Sequence, residues 1–423
     1  MHKRSIACRL SSLGADTSGT VLMMAVVVLP IMLGFVGLAT DTVQWMLWQR
    51  QFQQVADSGA ISAVYAMSAG DDPTAAANES IELDDHIVFL HPPKITTQTE
   101  TAEPQATVQL SGRRALPFSK MFMSEAPILQ ATATASLLNN GTFCVVSLEK
   151  SLTGISVNGS ARVDLGCGVS SNSRSSQSIT AGGSSLLTAT PLSSVGGIPK
   201  SANIASERIL PYSLARADPF ASLKDPVVPS SCNLSGNVSP KQSQTIVITP
   251  GCYKRGISLS GQGTVRMSPG VYILDGGNFS TGSQVTVIGE GVTIVLTSST
   301  VTTSPASVGD IDISAGSNIR LIAPTTSATG DASAYKGTLF YQDRRASTSG
   351  TSKINGNANL FLQGGIYVPK RTIEMNGGGS FGTSCLQLVA RAVAFTGNSS
   401  VSNTCPTDAG VKEIVGAVVR LIQ

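Results

Sequence analysis

The sequence predicts a mostly β protein: an N-terminal transmembrane helix continuing into an amphipathic stalk helix, a small α/β segment, and a parallel β-helix stapled by disulfides. One long uncharged run lies near the amino terminus, and short β-branched runs separated by Gly, Ser and Asn fill the second half. Related segments recur there about every 20 residues, the length of one solenoid turn. A β-sandwich, whose strands recur every 8–12 residues, is the alternative.

Changes in composition divide the chain into four segments. Residues 1–19 are predicted as a cytoplasmic amino terminus, 20–40 as a transmembrane anchor, 41–140 as the stalk helix and α/β segment, and 141–423 as the β-helix-like domain. Within the last segment, the proline-rich stretch 191–229 is irregular. It is predicted to cross the solenoid face or to link two parts of the solenoid.

The anchor prediction starts from residues 21–39, which contain no charged side chain. At about 1.5 Å per residue, such a helix crosses a hydrocarbon core of roughly 30 Å. Lys3, Arg4 and Arg9 precede it, which places the amino end in the cytoplasm and the bulk of the chain outside. A cleavable secretory signal is the alternative, but its apolar region is normally about 7–15 residues, so a retained anchor is expected. The anchor residues are Val21, Pro30, Ala39 and two interfacial tryptophans, Trp45 and Trp48.

Charge and histidine content exclude several functional classes. A net charge of +3 is too small and dispersed for a nucleic-acid partner. The three histidines, His2, His86 and His91, leave little material for His-based metal or nucleophilic chemistry. His86 and His91 lie near acidic residues, and a solvated surface cluster is favoured there over a metal site. We therefore expect no cofactor and no metal.

Six cysteines follow the anchor, as expected for an oxidising compartment. Fifteen pairings of six cysteines are open, but neighbours in sequence are 23, 20 and 20 positions apart. This near-equal spacing favours local pairs that staple adjacent coils, each stabilising by about 3 kcal/mol in the chain-entropy model. The cysteines concerned are Cys144, Cys167, Cys232, Cys252, Cys385 and Cys405.

The stalk is predicted to continue helically from Asp41 to residue 69. Its small residues Ala56, Gly59, Ala60 and Ala63 allow a second element to approach closely. Packing on the following segment and self-association with another copy are both consistent with this pattern, and the first is favoured. Beyond the stalk, the pattern predicts a helix over 72–86, strands over 95–99, 106–110 and 129–137, and a short helix over 116–123.

The amino-terminal residues resemble the Flp/Tad pilus-assembly family, TadE/TadG-like. The resemblance is carried by Gly37-Leu38-Ala39-Thr40-Asp41, which follows the family's G-x-A-x-D pattern, and by Gln54-Val55-Ala56-Asp57 with the small residues after it. It covers about the first 70 residues. Pilins of such systems carry Glu five residues after the cleaved Gly, whereas Met24 stands there after Gly19, so the anchor is expected to stay uncleaved.

The second half is similar, more loosely, to the carboxy-terminal region of larger TadG-related proteins, with a strand begun by Cys144 followed by PGVY coils. Its repeat is clearest where Pro250-Gly251-Cys252-Tyr253 recurs as Pro269-Gly270-Val271-Tyr272. The stretch Tyr341-Gln342-Asp343-Arg344-Arg345 has the densest charge. It is interpreted as an Asp–Arg pair holding a long turn, in preference to a ligand-contacting loop.

Extracellular β-helices are often polysaccharide-processing enzymes, which need paired carboxylates. Only Asp310 and Asp312 have the spacing that puts two acids on one strand face, and they are interpreted as solvated strand ends. The half contains no histidine. The expectation is therefore a protein that is not an enzyme.

The resemblance implies an inner-membrane component of a Flp/Tad-type pilus assembly or secretion apparatus, single-pass, with its amino terminus cytoplasmic and its bulk periplasmic. Its β-rod would give structural support or contact a partner. The expected partners are other pilus-assembly or envelope proteins, the lipid bilayer, and a second copy through the stalk helix. A membrane-tethered carbohydrate-binding or carbohydrate-modifying β-helix, or a surface adhesin, is the alternative.

Overall fold

The computed structural model describes residues 18–84, 88–101, 103–356, 359–377, 380–381, 385–397, 400–401, 409–411 and 413–422. The predictions made for residues 1–17, His86 and Cys405 fall outside these residues. The chain divides into two compact units, Met1–Leu138 with Val419–Gln423, and Asn139–Val418.

A continuous helix, α1, dominates the first unit and spans Ser18–Ala69, with Pro30 inside it. Among the described residues, it is the one helix long and apolar enough to cross a membrane. Every side chain from 21 to 36 is exposed. An apolar helix surface of this length is suited to lipid rather than water. The predicted continuity of anchor and stalk is confirmed.

A small helix and an antiparallel sheet complete the first unit. Helix α2 (Pro73–Glu82) begins with proline and is capped by the Asp72 carboxylate, which accepts from the amide of Thr74 at 2.8 Å. A 3-10 turn covers Ser119–Met121, which is shorter than the predicted helix. The strands are β1 Lys94–Gln98, β2 Gln105–Arg113 and β3 Ile128–Ser147. They pair β1–β2–β3 antiparallel, and β3 runs beyond its predicted end at residue 137.

The second unit is built from short strands. In chain order these are β4 Ile155–Val157, β5 Arg162–Asp164, β6 Gly168–Ser171, β7 Ile179–Ala181, β8 Leu186–Thr188, β9 Leu192–Ser194, β10 Ile204–Ala205, β11 Ile209–Leu210, β12 Leu234–Val238, β13 Thr245–Ile248, β14 Gly251–Leu259, β15 Thr264–Met267, β16 Gly270–Asp275, β17 Gly277–Thr281, β18 Thr286–Glu290, β19 Val292–Thr297, β20 Val308–Ile313, β21 Asn318–Ile322, β22 Thr338–Gln342, β23 Thr351–Gly356, β24 Leu360–Gly377, β25 Ser380–Phe381, β26 Leu386–Gly397, β27 Ser400–Val401 and β28 Ile414–Leu421.

Successive coils pair in parallel, as Val271 with Thr293 and Ile288 with Arg320 illustrate. The strands form three faces, along which β14, β16 and β19, then β14, β17 and β20, then β13, β15, β18 and β21 follow one another. Inward apolar side chains fill one continuous core. The predicted parallel β-helix is confirmed, and the β-sandwich, whose sheets are antiparallel, is wrong.

The repeated Pro-Gly-x-Tyr motif is offset from the strand register. Gly251 lies opposite Tyr272, two residues beyond Gly270. Because strand side chains alternate with a period of two, this offset leaves both Tyr253 and Tyr272 inside. Their rings stack with centroids 5.8 Å apart. The φ values of +148° at Gly251 and +139° at Gly270 explain why glycine stands at both corners.

The first coil strand of the second unit lies in the middle of the stack of coils and not at one end. Strand β3 pairs in parallel with β6 on one side and with the late strand β26 on the other, where Leu388 lies opposite Val145. The early coils therefore wind away from this joint toward β11, which pairs with β9. The later coils begin at the far end with β12 and return to the joint through β24 and β26.

Residues 211–233 connect the two ends of the stack, and we call this segment the strap. It is shorter than the predicted crossing segment 191–229, because β9, β10 and β11 still pair as coil strands. The strap therefore overlaps the carboxy-terminal part of that predicted segment and extends to the residue before β12. Proline content does not show where the strap begins. Pro191, the first proline of the predicted segment 191–229, directly precedes strand β9, which is paired as a coil strand.

Candidate functional site

In the first unit, the turn 116–123 is attached to α1 at the end of the apolar run. The Asp41 carboxylate accepts hydrogen bonds from the amide of Phe118 at 3.2 Å, from the hydroxyl of Ser119 at 2.6 Å and from the Ser119 amide. One turn earlier in the helix, a Cβ at Gly37 would collide with the ring of Phe118. We call this contact the helix dock. It gives the Gly and Asp of the G-x-A-x-D pattern a structural role.

The sequence singled out Gly37 and Asp41 but not their partners. Asp41 is 2% exposed, although the helix residues on either side of it are exposed. An acid buried on an otherwise exposed apolar helix requires donors. That requirement was a signal for a docked segment, but nothing in the sequence identified Phe118 and Ser119 as its source.

Replacing Asp41 with alanine is expected to free the turn, because three hydrogen bonds to a charged acceptor are lost. The exchange rates of the Phe118 and Ser119 amides should therefore rise by about tenfold or more. Hydrogen exchange on the detergent-solubilised full chain measures this effect. The neighbouring Thr40→Ala variant is the matched control, since the Thr40 hydroxyl bonds only to the helix carbonyl of Val36 at 2.8 Å. Equal exchange in the two variants would contradict the role assigned to Asp41.

The small residues of the stalk are buried inside the first unit. Ala56, Ala60 and Ala63 are fully buried, and Gly59 lies against Ile81 of α2 and Val108 of β2. Helix α2 and the sheet pack on the face that these four residues form, as in the packing on the following segment that the sequence favoured. Self-association with a second copy through the stalk helix stays a prediction.

The predicted anchor residues lie along α1. The side chain of Val21 is exposed, and Pro30 and Ala39 also lie on the exposed surface of the helix. Trp45 is exposed, whereas Trp48 is half-buried and lies 4.6 Å from the guanidinium of Arg114. Sequence reasoning missed this cation–π contact, since Arg114 lies far away in the chain.

Disulfides join neighbouring coils of the second unit. The bonds are Cys144–Cys167 and Cys232–Cys252, with Cα atoms 5.9 Å and 4.7 Å apart. Cys385 is also disulfide-bonded. The first bond joins β3 to the residue that directly precedes β6, and the second attaches the end of the strap to β14. Each bond joins two consecutive cysteines of the sequence, 23 and 20 positions apart.

An aromatic cluster on the outside of the first face binds the strap. Phe220 of the strap stacks on Tyr367 of β24 with ring centroids 4.7 Å apart, and Tyr367 also lies 5.1 Å from Tyr341 of β22. All three rings are buried. The Tyr367 hydroxyl donates to Asp218 of the strap at 2.6 Å. Burial, together with this bond, raises the pKa of Tyr367.

Two arginines hold the strap backbone over this cluster. Arg344 donates to the carbonyls of Phe220 and, at 2.8 Å, Leu223. Arg345 donates to the carbonyl of Pro226 at 3.0 Å and to Asp343 at 2.6 Å. We call these residues, with Tyr341 and Tyr367, the strap clamp. The predicted Asp–Arg pair is present, but its arginines also bind a segment distant in sequence.

The acids of the second unit are engaged in structural contacts. Burial alone would raise the pKa of Asp343, but hydrogen bonds from Arg345 and Thr297 outweigh it and hold that pKa below its usual value. Glu149 accepts from three successive backbone amides and from Arg391 at 2.7 Å, which closes the joint between the early and late coils. Its pKa is likewise lowered, because these donors outweigh burial.

The two acids at strand-face spacing have different surroundings. Asp312 is exposed, as predicted, whereas Asp310 receives a 2.6 Å bond from the fully buried Arg371. The interpretation of Asp310 as a solvated strand end is therefore wrong. Arg371 lies 61 positions later in the chain, so sequence spacing could not reveal it.

An open groove of about 1280 Å³ lies over the Pro-Gly corners of the second unit. Its walls include the strap at Pro226, the loop 324–335 and the corner at Gly270. Two acids, Glu290 and Asp331, and one aromatic ring, Tyr335, line it. Glu290 pairs with Arg320 at 3.3 Å, and Tyr335 packs edge-on against Tyr341. Among the described residues, no cluster of three or more His, Cys, Asp or Glu side chains is placed to hold a metal ion.

One exposed apolar helix, followed along the chain by an antiparallel sheet and a disulfide-stapled parallel β-helix, fits the class of membrane-anchored β-solenoid proteins. Residues 19–71 match the family model described as "Putative Flp pilus-assembly TadE/G-like". The segment formed by α1 and its following turn is therefore similar to TadE/G-like modules, and the predicted resemblance is confirmed there.

Comparisons with whole proteins add little to this assignment. No curated protein matches the sequence. The crystal structure of the competence-associated pilin ComZ from Thermus thermophilus aligns with a TM-score of 0.31 and 10% identity, covering 81% of this chain and 90% of that one. A TM-score this low does not establish a shared fold.

Proposed function

We propose that the protein is a non-enzymatic, inner-membrane-anchored component of a Flp/Tad-type pilus assembly apparatus, whose β-helix supports the assembly or contacts a partner in the periplasm. The observation that carries the proposal is the family match over residues 19–71, which coincides with the exposed apolar helix. A segment of this kind supplies attachment to the membrane, and the β-helix supplies a rigid surface beyond it.

The disulfides support a periplasmic location for the second unit. Bonds such as Cys144–Cys167 and Cys232–Cys252 form and persist in oxidising compartments. This agrees with the basic residues Lys3, Arg4 and Arg9 before the apolar run, which favour a cytoplasmic amino terminus. In this arrangement Trp45 and Trp48 lie at the outer interface.

Acidic side chains of the second unit form hydrogen bonds that hold its own segments together, which supports a structural role. Asp218, Asp310 and Asp343 hold the strap or join coils, as described above. In the groove, the acid Glu290 is paired with Arg320. Glycoside chemistry needs two carboxylates flanking a substrate, and the groove offers no such free pair among its described lining residues.

Removing the β-helix is expected to abolish piliation without removing the anchor. In a strain that lacks the gene, a variant with residues 139–418 replaced by a short Gly-Ser linker should remain in the inner-membrane fraction but restore no surface pili. Electron microscopy counts the pili, and immunoblotting of membrane fractions confirms that the variant is present. The full-length chain is the positive control. Normal piliation with the variant would remove the role proposed for the β-helix.

A further inference from the structure

The turn that docks on α1 exposes an unusual set of apolar side chains. Met121 is 76% exposed, Phe122 84% and Met123 51%, and Phe118 is 37% exposed beside them. Large apolar groups concentrated on one turn of a small unit are costly in water and mark a contact surface. The first unit's own core lies elsewhere, along the stalk and the sheet.

The position of this turn indicates what covers it. The ring of Phe118 lies against Gly37, two residues before the last apolar residue of the run at Ala39. At about 1.5 Å per residue, the contact is within roughly 3 Å of the end of the apolar run. The exposed turn is therefore continuous with the helix surface that faces lipid.

The charges around the turn fit the headgroup region of a bilayer. Lys120 lies within the turn and is exposed. Arg114 lies over Trp48, which is about 10 Å further along the helix from Asp41. Basic side chains and tryptophan are favoured at this depth, where a long side chain keeps its charge in water and its stem in the apolar zone.

We propose that residues 118–123 form a second membrane contact, in which Met121, Phe122 and Met123 insert into the leaflet where the apolar run of α1 ends. The helix dock holds the turn at this depth, and Lys120 and Arg114 face the lipid phosphates. The first unit is then attached to the bilayer at two points, which restricts its tilt and rotation about α1. This inference needs α1 to span a bilayer and does not depend on the role in pilus assembly.

The test places an environment-sensitive fluorophore at the turn in the full chain. The Phe122→Cys variant, in a Cys8→Ser background, is labelled with a nitrobenzoxadiazole dye and reconstituted in vesicles of phosphatidylcholine and phosphatidylglycerol. The matched control is Leu83→Cys in the same background, because Leu83 belongs to the same unit and is 81% exposed. We expect blue-shifted emission from the Phe122 label and quenching by spin-labelled acyl chains several-fold stronger than at Leu83.

Each outcome supports or overturns the proposal. Equal, weak quenching of the two labels would place the turn in water and overturn it. A blue shift without quenching by lipid, rising with the protein-to-lipid ratio, would show that another protein covers the turn and would also overturn it. Adding Asp41→Ala to the labelled chain should lower the quenching, since the dock sets the depth. A Met121→Cys label gives a second reading if the first variant folds poorly.

Discussion

Replacing Arg371 with methionine is expected to lower the free energy of unfolding of the β-helix by about 3 kcal/mol. Arg371 is 1% exposed and is the largest fully buried side chain among the described residues. It donates to the Asp310 carboxylate at 2.6 Å, to the carbonyl of Val308 at 3.0 Å and to the carbonyl of Ser347. It thereby ties β20 and the turn before β23 to β24, and methionine replaces none of these bonds.

The cost comes mainly from the partners that Arg371 leaves behind. Asp310 is only 21% exposed in its side chain, so its charge is left poorly solvated when the guanidinium is removed. Because some solvent remains, we place the loss at the lower end of the range for broken buried pairs, about 3–5 kcal/mol. Changing Asp310 to leucine in the same chain removes the stranded charge and should recover part of the loss.

Chemical denaturation of the full chain in detergent measures the effect as a shift in the unfolding midpoint of the β-sheet signal. Arg320→Met is the matched control, since Arg320 also pairs with an acid, Glu290, but both side chains are about half exposed or more. An exposed pair of this kind contributes about 0–1 kcal/mol, so the control should shift little. Similar shifts for the two variants would show that Arg371 does not hold the coils together.

The parts of the fold that follow from local patterns were predicted well. The uncharged run 21–39 predicts a helix by its length and composition. The glycines Gly251 and Gly270 indicate the corners of coils, because few other residues adopt their backbone angles. The sequence separation of Cys144 and Cys167 matches one coil. In each case the evidence lies within a few tens of residues.

The features that escaped prediction depend on pairs of residues distant in the chain. Leu388 pairs with Val145, but no local sequence pattern in either segment indicates this pairing. The entry of the chain into the middle of the stack could therefore not be predicted. The helix dock also joins residues distant in the chain. The sequence motif contains Asp41 but gives no indication of its donors at Phe118 and Ser119.

The strap could have been anticipated from one neglected signal. Strands β19 and β22 are buried at every position, whereas a solenoid strand with one face in water alternates buried and exposed residues. Continuous runs such as Thr338-Leu339-Phe340-Tyr341 therefore indicated a second layer outside the coil. The proline-rich segment supplies part of that layer through Phe220, and Tyr335 of the loop 324–335 supplies another part by packing on Tyr341.

Replacing Arg344 with alanine is expected to release the strap while leaving the coils folded. The variant loses bonds to the carbonyls of Phe220 and Leu223, to the hydroxyl of Tyr367 at 2.9 Å, and to Asp225 at 3.4 Å. A hydrogen bond made by a charged donor contributes about 1.5–3 kcal/mol. The free energy of local strap opening should therefore fall by about 3 kcal/mol. This figure is below the sum for the lost bonds because water refills the site.

Trypsin offers a direct measurement, because Lys224 lies exposed in the middle of the strap. A protease cleaves the locally open form, so the cleavage rate at Lys224 follows the population of that form when opening and closing are fast. A change of about 3 kcal/mol corresponds to roughly a hundredfold faster cut. The fragments are resolved on a reducing gel, and the β-sheet signal of the uncut chain should be unchanged.

Arginine rather than charge alone is what the strap requires at this position. The planar guanidinium reaches two carbonyls and a hydroxyl at once, whereas the single ammonium of lysine cannot span them. Arg344→Lys should therefore be cut nearly as fast as Arg344→Ala. The matched control is Lys336→Ala, which removes an exposed basic residue outside the clamp and should leave cleavage at Lys224 unchanged. Protection of Lys224 in the lysine variant would mean that the strap is held by the stacking of Phe220 on Tyr367 and by positive charge, and that the fork of Arg344 is dispensable.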